Sequence, residues 1–202
     1  MTLLTIEKIS ESVRGHRPRR HPIGPSTRKA AVSIILKRSG DHTEALFILR
    51  AKQEGDPWSG HMAFPGGHHD IDDETLRHAA DRETLEEIGL DLEKCGELIG
   101  EIDWVQVNPI GRNLEMVVAP FVYELKQLEA EFTPNYEVAD VLWGSLNDMH
   151  AGHSLTDGDF IVAGETVSYR GYSVGDEIVW GLTFRMLDHF FSIVDPDWEG
   201  HD

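Results

Sequence analysis

Residues 63–90 read AFPGGHHDIDDETLRHAADRETLEEIGL, and the fold turns on them. A short apolar run, a glycine pair and one helix follow each other here. The helix is expected to begin near Asp73 or Glu74, because Asp72 and Asp73 are good N-caps and acids suit a helix N-terminus. It is expected to end at Gly89, a typical C′ residue. Glu83, Glu86 and Glu87 then crowd the last turn, at the negative end of the helix dipole. Glu83 and Glu87 are an i,i+4 like-charge pair, and Glu83 and Glu86 are i,i+3; each such pair costs about 0.2–0.5 kcal/mol in an isolated helix.

At about 100° per residue the three carboxylates share a face with Leu76, Ala79 and Ala80, so that face is expected to look inward. Carboxylates converging on a partly buried face need a cation or a proton, and oxygen ligands suit a hard divalent ion, Mg²⁺ or Mn²⁺. Arg82 can pair with one or more of them and fix their rotamers. For E-x-x-E-E taken alone, a solvated acidic helix end is the plainer alternative.

The neighbouring residues decide between the two. Arg82-Glu83-Thr84-Leu85-Glu86-Glu87-Ile88-Gly89-Leu90, with Glu74 eight residues before Arg82, resembles the signature box of the Nudix hydrolases. Thr84 stands where that box carries an apolar residue. Gly66-Gly67 lies one residue further upstream than the strict pattern, which puts His68 at the first glycine position. Phe64-Pro65-Gly66-Gly67, followed by Asp70 and Asp73, is similar to the coenzyme A diphosphatase branch, where this loop is longer.

The resemblance implies a set of roles. Glu83, Glu87 and Glu86 become metal ligands, with the Gly67 carbonyl completing the set and Glu86 alternatively orienting water. Arg82 orients the glutamates and Glu74 buttresses them. Glu137, which precedes a strand and short helix within 135–146 (NYEVADVLWGSL), becomes a candidate general base or supporting acid, with an ordinary surface turn residue as the alternative. The branch motif also expects Gly60, which is present, and an arginine where Asp56 stands; Arg50 and Lys52 are the candidates to replace that cation, and His68 faces substrate.

Composition bounds the rest. The chain has 202 residues, 40% hydrophobic content and a formal net charge of −18. That suggests one domain with a proper core. Such acidity disfavours nucleic acid polymers, but it permits a small anionic substrate where metal ions and local cations reverse the potential. No run is apolar enough to span a membrane, and the N-terminus lacks a basic n-region and cleavage pattern. A lone Cys95 offers no disulfide framework, so a cytoplasmic setting is expected.

Residues 3–14 read as an amphipathic helix, with Leu3, Leu4, Ile6, Ile9 and Val13 apolar. A basic, proline-rich arm with Arg14, Arg17, Arg19, Arg20, Arg28 and Lys29 follows. It reads equally as a solvated counterweight to the acidic body and as a phosphate-binding edge, and proline can also hold such an arm against a neighbouring subunit in a homodimer. Strands are expected at 30–37, 45–50, 98–107 and 114–125, the last bent at Pro120, with turns between them including 108–111. Residues 150–176 read as a hairpin in which Phe160, Tyr169 and Tyr172 either stack on a base or pack the hairpin. A helix is expected over 178–193 and a loose tail after Pro196.

The expected architecture is α+β: a Nudix-like α/β/α sandwich with a mixed β-sheet between helices. Its parts are the arm (1–29), the hydrolase domain (30–195) and the tail (196–202). The expected reaction is metal-dependent hydrolysis of a diphosphate bond in a nucleoside diphosphate linked to a variable group. Coenzyme A or its acyl derivatives come first; nucleotide sugars, ADP-ribose or dinucleotides are the alternative. A non-catalytic nucleotide-binding module is the reading from another class.

Overall fold

The computed structural model describes residues 3–53, 58–107, 115–127, 130–162 and 164–201. Asp56 and the 108–111 turn lie outside the described residues. In chain order the elements are α1 (Ile6–Gly15), β1 (Arg28–Ser39), β2 (His42–Arg50), β3 (Met62–Ala63) and β4 (Gly66–His68). Then come α2 (Leu76–Ile88), α3 (Leu92–Cys95), β5 (Gly96–Glu101), β6 (Val105–Val107) and β7 (Met116–Leu125). The chain continues as β8 (Val138–Ser145), α4 (Leu146–His150), β9 (Leu155–Val162), β10 (Glu165–Val174), β11 (Glu177–Trp180) and α5 (Gly181–Val194).

β1 sits at the centre because its AAVSIIL run is buried on both faces, as a strand with a parallel neighbour requires. It pairs parallel with β7 and antiparallel with β2. The main sheet runs β3-β2-β1-β7-β5, with β4 on β1, β6 on β7 and β8 on β2. One face packs on α1 and α5 through Ile9, Ile34, Phe47, Leu187 and Phe191. The other packs on α2 through Ile35, Leu46, Ala79, Ala80 and Ile88. The result is the expected α/β/α sandwich with a mixed sheet. β9, β10 and β11 form a second, antiparallel sheet.

The junction of β1 and β2 positions the site. β2 pairs with β1 through Ala45 and with β3 from Ile48 on, while β4 pairs with the first part of β1. The β3–β4 segment therefore wedges between the two strands and delivers Gly66 and Gly67 onto Val32 and Ala31.

Several expectations need correction. The box helix starts at Leu76, with Thr75 as N-cap accepting from the His78 N–H at 3.1 Å. The strand expected over 98–107 is two strands, β5 and β6, separated at 102–104. β7 runs unbroken through Pro120. The Pro120 carbonyl faces the β5–β6 side, where it accepts from Ile102 at 3.1 Å, so its missing N–H belongs to that same side. The interruption thus falls on the neighbouring strand. Residues 177–180 are strand: Trp180 pairs with Gly171 of β10, and α5 begins only at Gly181, whose φ is 61°. The tail expected to be loose carries Trp198, which stacks on His150 and donates to Asp188 at 2.8 Å.

Candidate active site

The geometry begins with two glycines. Gly66 has φ 146°, and a Cβ there would lie 2.3 Å from the Ala31 carbonyl oxygen. Its N–H donates to Glu87 Oε2 at 2.8 Å. A Cβ on Gly67 would lie 2.5 Å from the Glu83 carboxyl carbon. Only a glycine pair lets this backbone approach both glutamates so closely.

α2 presents its acids in a gradient. Glu87 is buried, Glu83 is half-buried and Glu86 is exposed. Gly89 ends the helix in the left-handed conformation, as expected, with its N–H on the Leu85 carbonyl. The last carbonyls are then covered from the far side: Thr133 N–H donates to Ile88 O and Asn135 N–H to Glu87 O, both at 2.8 Å. Thr84 is buried; its hydroxyl lies 2.7 Å from the Ala80 carbonyl and 2.9 Å from the Ser33 hydroxyl. A polar residue fits at this box position because both its partners are present.

Arg82 holds the cluster together. Its Nη1 donates to Glu83 Oε1 at 3.0 Å and Glu86 Oε2 at 3.3 Å, and its Nη2 to the His68 carbonyl at 3.1 Å. The same guanidinium makes a two-pronged pair with Asp73, Nε to Oδ1 at 3.0 Å and Nη2 to Oδ2 at 2.9 Å. Asp73 is buried and also accepts from the Asp70 N–H at 2.8 Å. Sequence reasoning gave Asp73 a capping role and made Glu74 the buttress. In the structure Asp73 is the buttress and Glu74 is exposed. The spacing Asp73-x₈-Arg82 was the available signal, but it became meaningful only once the loop folded back.

Electrostatics mark the same place. Burial pushes the Glu87 carboxyl up to about 8; the Gly66 N–H opposes this, and Glu83 adds to it. Burial also raises Glu83, against Arg82. The Arg82 pairing holds Asp73 down at about 2. Glu137 acts on both Glu83 and Glu87, which places its charge at the cluster. It is positioned by its N–H on Asn135 Oδ1 at 2.8 Å and its carbonyl on the Ala51 N–H at 2.7 Å.

The substrate-binding candidates divide. Arg50 acts on Glu87 and, with Arg28, on His68. His68 is exposed beside these two cations, and its imidazole is shifted down first by burial and then by them. Lys52 is also exposed, its stem lying over Gly60. Arg28 belongs with this group, although by sequence it was only one of the arm's cations.

Could these residues hold a divalent ion? Among the described residues no three acidic or imidazole groups converge tightly enough as they stand. Glu83 and Glu86 are turned to Arg82, and Glu87 to the Gly66 N–H. The donor set nevertheless fits a hard cation. It is all oxygen, it is on adjacent turns, and it holds a buried carboxylate whose charge burial disfavours.

The NUDIX domain family matches over residues 27–163, more than half of the chain. An uncharacterized protein of Schizosaccharomyces pombe is 32% identical over 65% of this chain and 45% of its own length, so the chain spans less than half of that relative. The mitochondrial coenzyme A diphosphatase of Mus musculus is 29% identical over 83% of this chain and 78% of its own. A MutT/nudix family protein from Enterococcus faecalis shares the fold with a TM-score of 0.53, at 16% identity, over 96% of this chain and 76% of that one. Among the described residues no helix is long and apolar enough to cross a membrane. With the domain match and the box residues gathered around Arg82, the chain belongs to the NUDIX family.

Proposed function

We propose that the protein hydrolyses the diphosphate bond of coenzyme A or an acyl-coenzyme A, releasing adenosine 3′,5′-bisphosphate and a phosphopantetheine. The observation that carries the reaction is the excess of carboxylate at one end of α2, with Glu87 buried against Gly66 and Glu83 against Gly67. The substrate rests on the Phe64-Pro65-Gly66-Gly67 loop and on the likeness to the mouse coenzyme A diphosphatase over most of both chains.

Bound Mg²⁺ or Mn²⁺ would neutralise the diphosphate and lower the pKa of attacking water. Glu83, Glu87 and Glu86 would hold it, with the Gly67 carbonyl. Arg82 fixes the rotamers of Glu83 and Glu86 while being anchored itself by Asp73. Glu86, being exposed, or Glu137, whose charge acts on Glu83 and Glu87, accepts the proton of the water. Arg50 and Lys52 supply positive charge on the substrate side, and His68 lies beside Arg50 as a hydrogen-bonding group. The cytoplasmic setting belongs to this proposal as well.

A hydrolysis screen with Mg²⁺ and with Mn²⁺ over coenzyme A, ADP-ribose, nucleotide sugars and diadenosine polyphosphates tests this. The expected result is highest kcat/KM for coenzyme A, a lower value for its 3′-dephospho form, and loss of that preference in Arg50→Ala. Better turnover of ADP-ribose or a nucleotide sugar would leave the reaction class standing and overturn the substrate.

A further inference from the structure

A cleft of about 490 Å³ opens between the basic arm and α5, lined by His21, Trp104, Val105, Gln106, Arg185 and His189. No carboxylate lines it among the described residues, although the chain's formal charge is −18. Arg185 and His189 are four residues apart on α5 and so project from one side of the helix. The third side chain, that of His21, comes from the opposite wall. Among the described residues none of these three side chains makes a hydrogen bond or ion pair within the protein.

The arm is built to hold His21 there. Asp103 accepts from the Arg19 N–H at 2.9 Å and from Arg19 Nε at 2.5 Å, and lies 2.6 Å from His16 Nε2. Glu101 takes Arg20 Nη2 at 2.6 Å, and the Arg19 carbonyl accepts from the Trp104 N–H at 3.0 Å. Residues 16–20 are thus fastened to the sheet edge one residue before His21, and Pro22 restricts the chain just after it.

We propose that this cleft binds a phosphate monoester. An arginine fork and two imidazoles from facing walls, with Gln106 also in the lining, suit a compact anion with three equivalent oxygens. The site is separate from the glutamate cluster. Val105 lies opposite Val118, Val118 beside Ala30, and Ala30 opposite His68. Those three strand spacings amount to about 14 Å. The phosphate could be the terminal group of a long substrate or a free phosphate compound; the site itself does not depend on the identity of the substrate.

The test is calorimetric titration of the full chain with inorganic phosphate and with adenosine 3′,5′-bisphosphate, with and without Mg²⁺. Saturable binding is expected, weakened about tenfold in Arg185→Gln and in His189→Ala and unchanged in the control Arg170→Gln. Arg185 is exposed, so its replacement leaves the fold intact. The KM for coenzyme A assigns the source. A raised KM with unchanged kcat in Arg185→Gln identifies the phosphate as the substrate's own; an unchanged KM identifies a free phosphate compound. Absence of saturable binding, or equal binding in wild type and both cleft variants, would overturn the proposal.

Discussion

The arm and the box helix each carry an assembly of acids and arginines, and the two are built on opposite principles. At the arm, supply and demand match. Asp103 is buried and takes the Arg19 N–H, the Arg19 guanidinium and the His16 ring, while Glu101 takes Arg20 and the Trp104 indole N–H. At the box helix they do not match. Asp73, Glu83 and Glu86 share the one Arg82 guanidinium, and buried Glu87 accepts from a backbone N–H. The pKa directions follow. Burial alone would raise Asp103, but the Arg19 and His16 contacts bring it below the usual range. Glu87 instead rises to about 8, because burial outweighs its one backbone contact. Matched charge fastens an arm; surplus negative charge leaves a place for a cation.

The largest expected effect separates the two regions by activity. Glu83→Gln and Glu87→Gln should each lower kcat on the order of a hundred- to a thousandfold. Without metal their stability should stay equal or rise slightly, since like-charge repulsion falls. Asp103→Asn should keep kcat within about twofold. Steady-state kinetics beside urea unfolding would check both halves, and a wild-type rate in both glutamate variants would erase the distinction.

Next comes ligand linkage. A divalent ion that binds only the native state adds about 2.7 kcal/mol at a hundredfold excess over Kd. Thermal unfolding with Mg²⁺ should show that increment in wild type and Asp103→Asn, and lose most of it in Glu83→Gln. An equal shift in all three would put the ion elsewhere.

A smaller effect belongs to the arm. Asp103→Ala should cost about 1–3 kcal/mol, the usual loss when buried charge-assisted bonds are removed. Because the folded-state pKa of Asp103 is lowered, its contribution is present above the unfolded value of about 3.9. It is lost as pH falls through the folded value. Stability measured from pH 6 downward should therefore fall more steeply in wild type than in Asp103→Ala. The smallest expected effect is Arg20→Lys, whose guanidinium is largely exposed; less than about 0.5 kcal/mol is expected by urea unfolding.

The legibility of these regions in the sequence differs for a physical reason. Glu83, Glu86 and Glu87 sit within five residues at the wrong end of a helix, so local rules alone expose the conflict. Gly66, Gly67 and Gly89 stand in the same window, and Gly89 ends the helix as expected. Asp73 was misread because capping is the commonest use of an aspartate before a helix, and its partner Arg82 is nine residues away. The arm was undecided between two readings because Arg19 meets Asp103 across 84 residues. Trp180 was assigned to a helix because its strand is defined by a partner, Gly171. Long-range pairing of this sort leaves no periodic trace in a single sequence.

Direct titration with Mn²⁺, followed by its electron paramagnetic resonance signal, addresses the central claim that surplus carboxylate at α2 holds the ion. Wild type and Asp103→Asn should quench the free-ion signal with the same affinity, while Glu83→Gln and Glu87→Gln should bind at least about tenfold more weakly. Equal affinity in all four proteins, or loss of binding in Asp103→Asn alone, would contradict it.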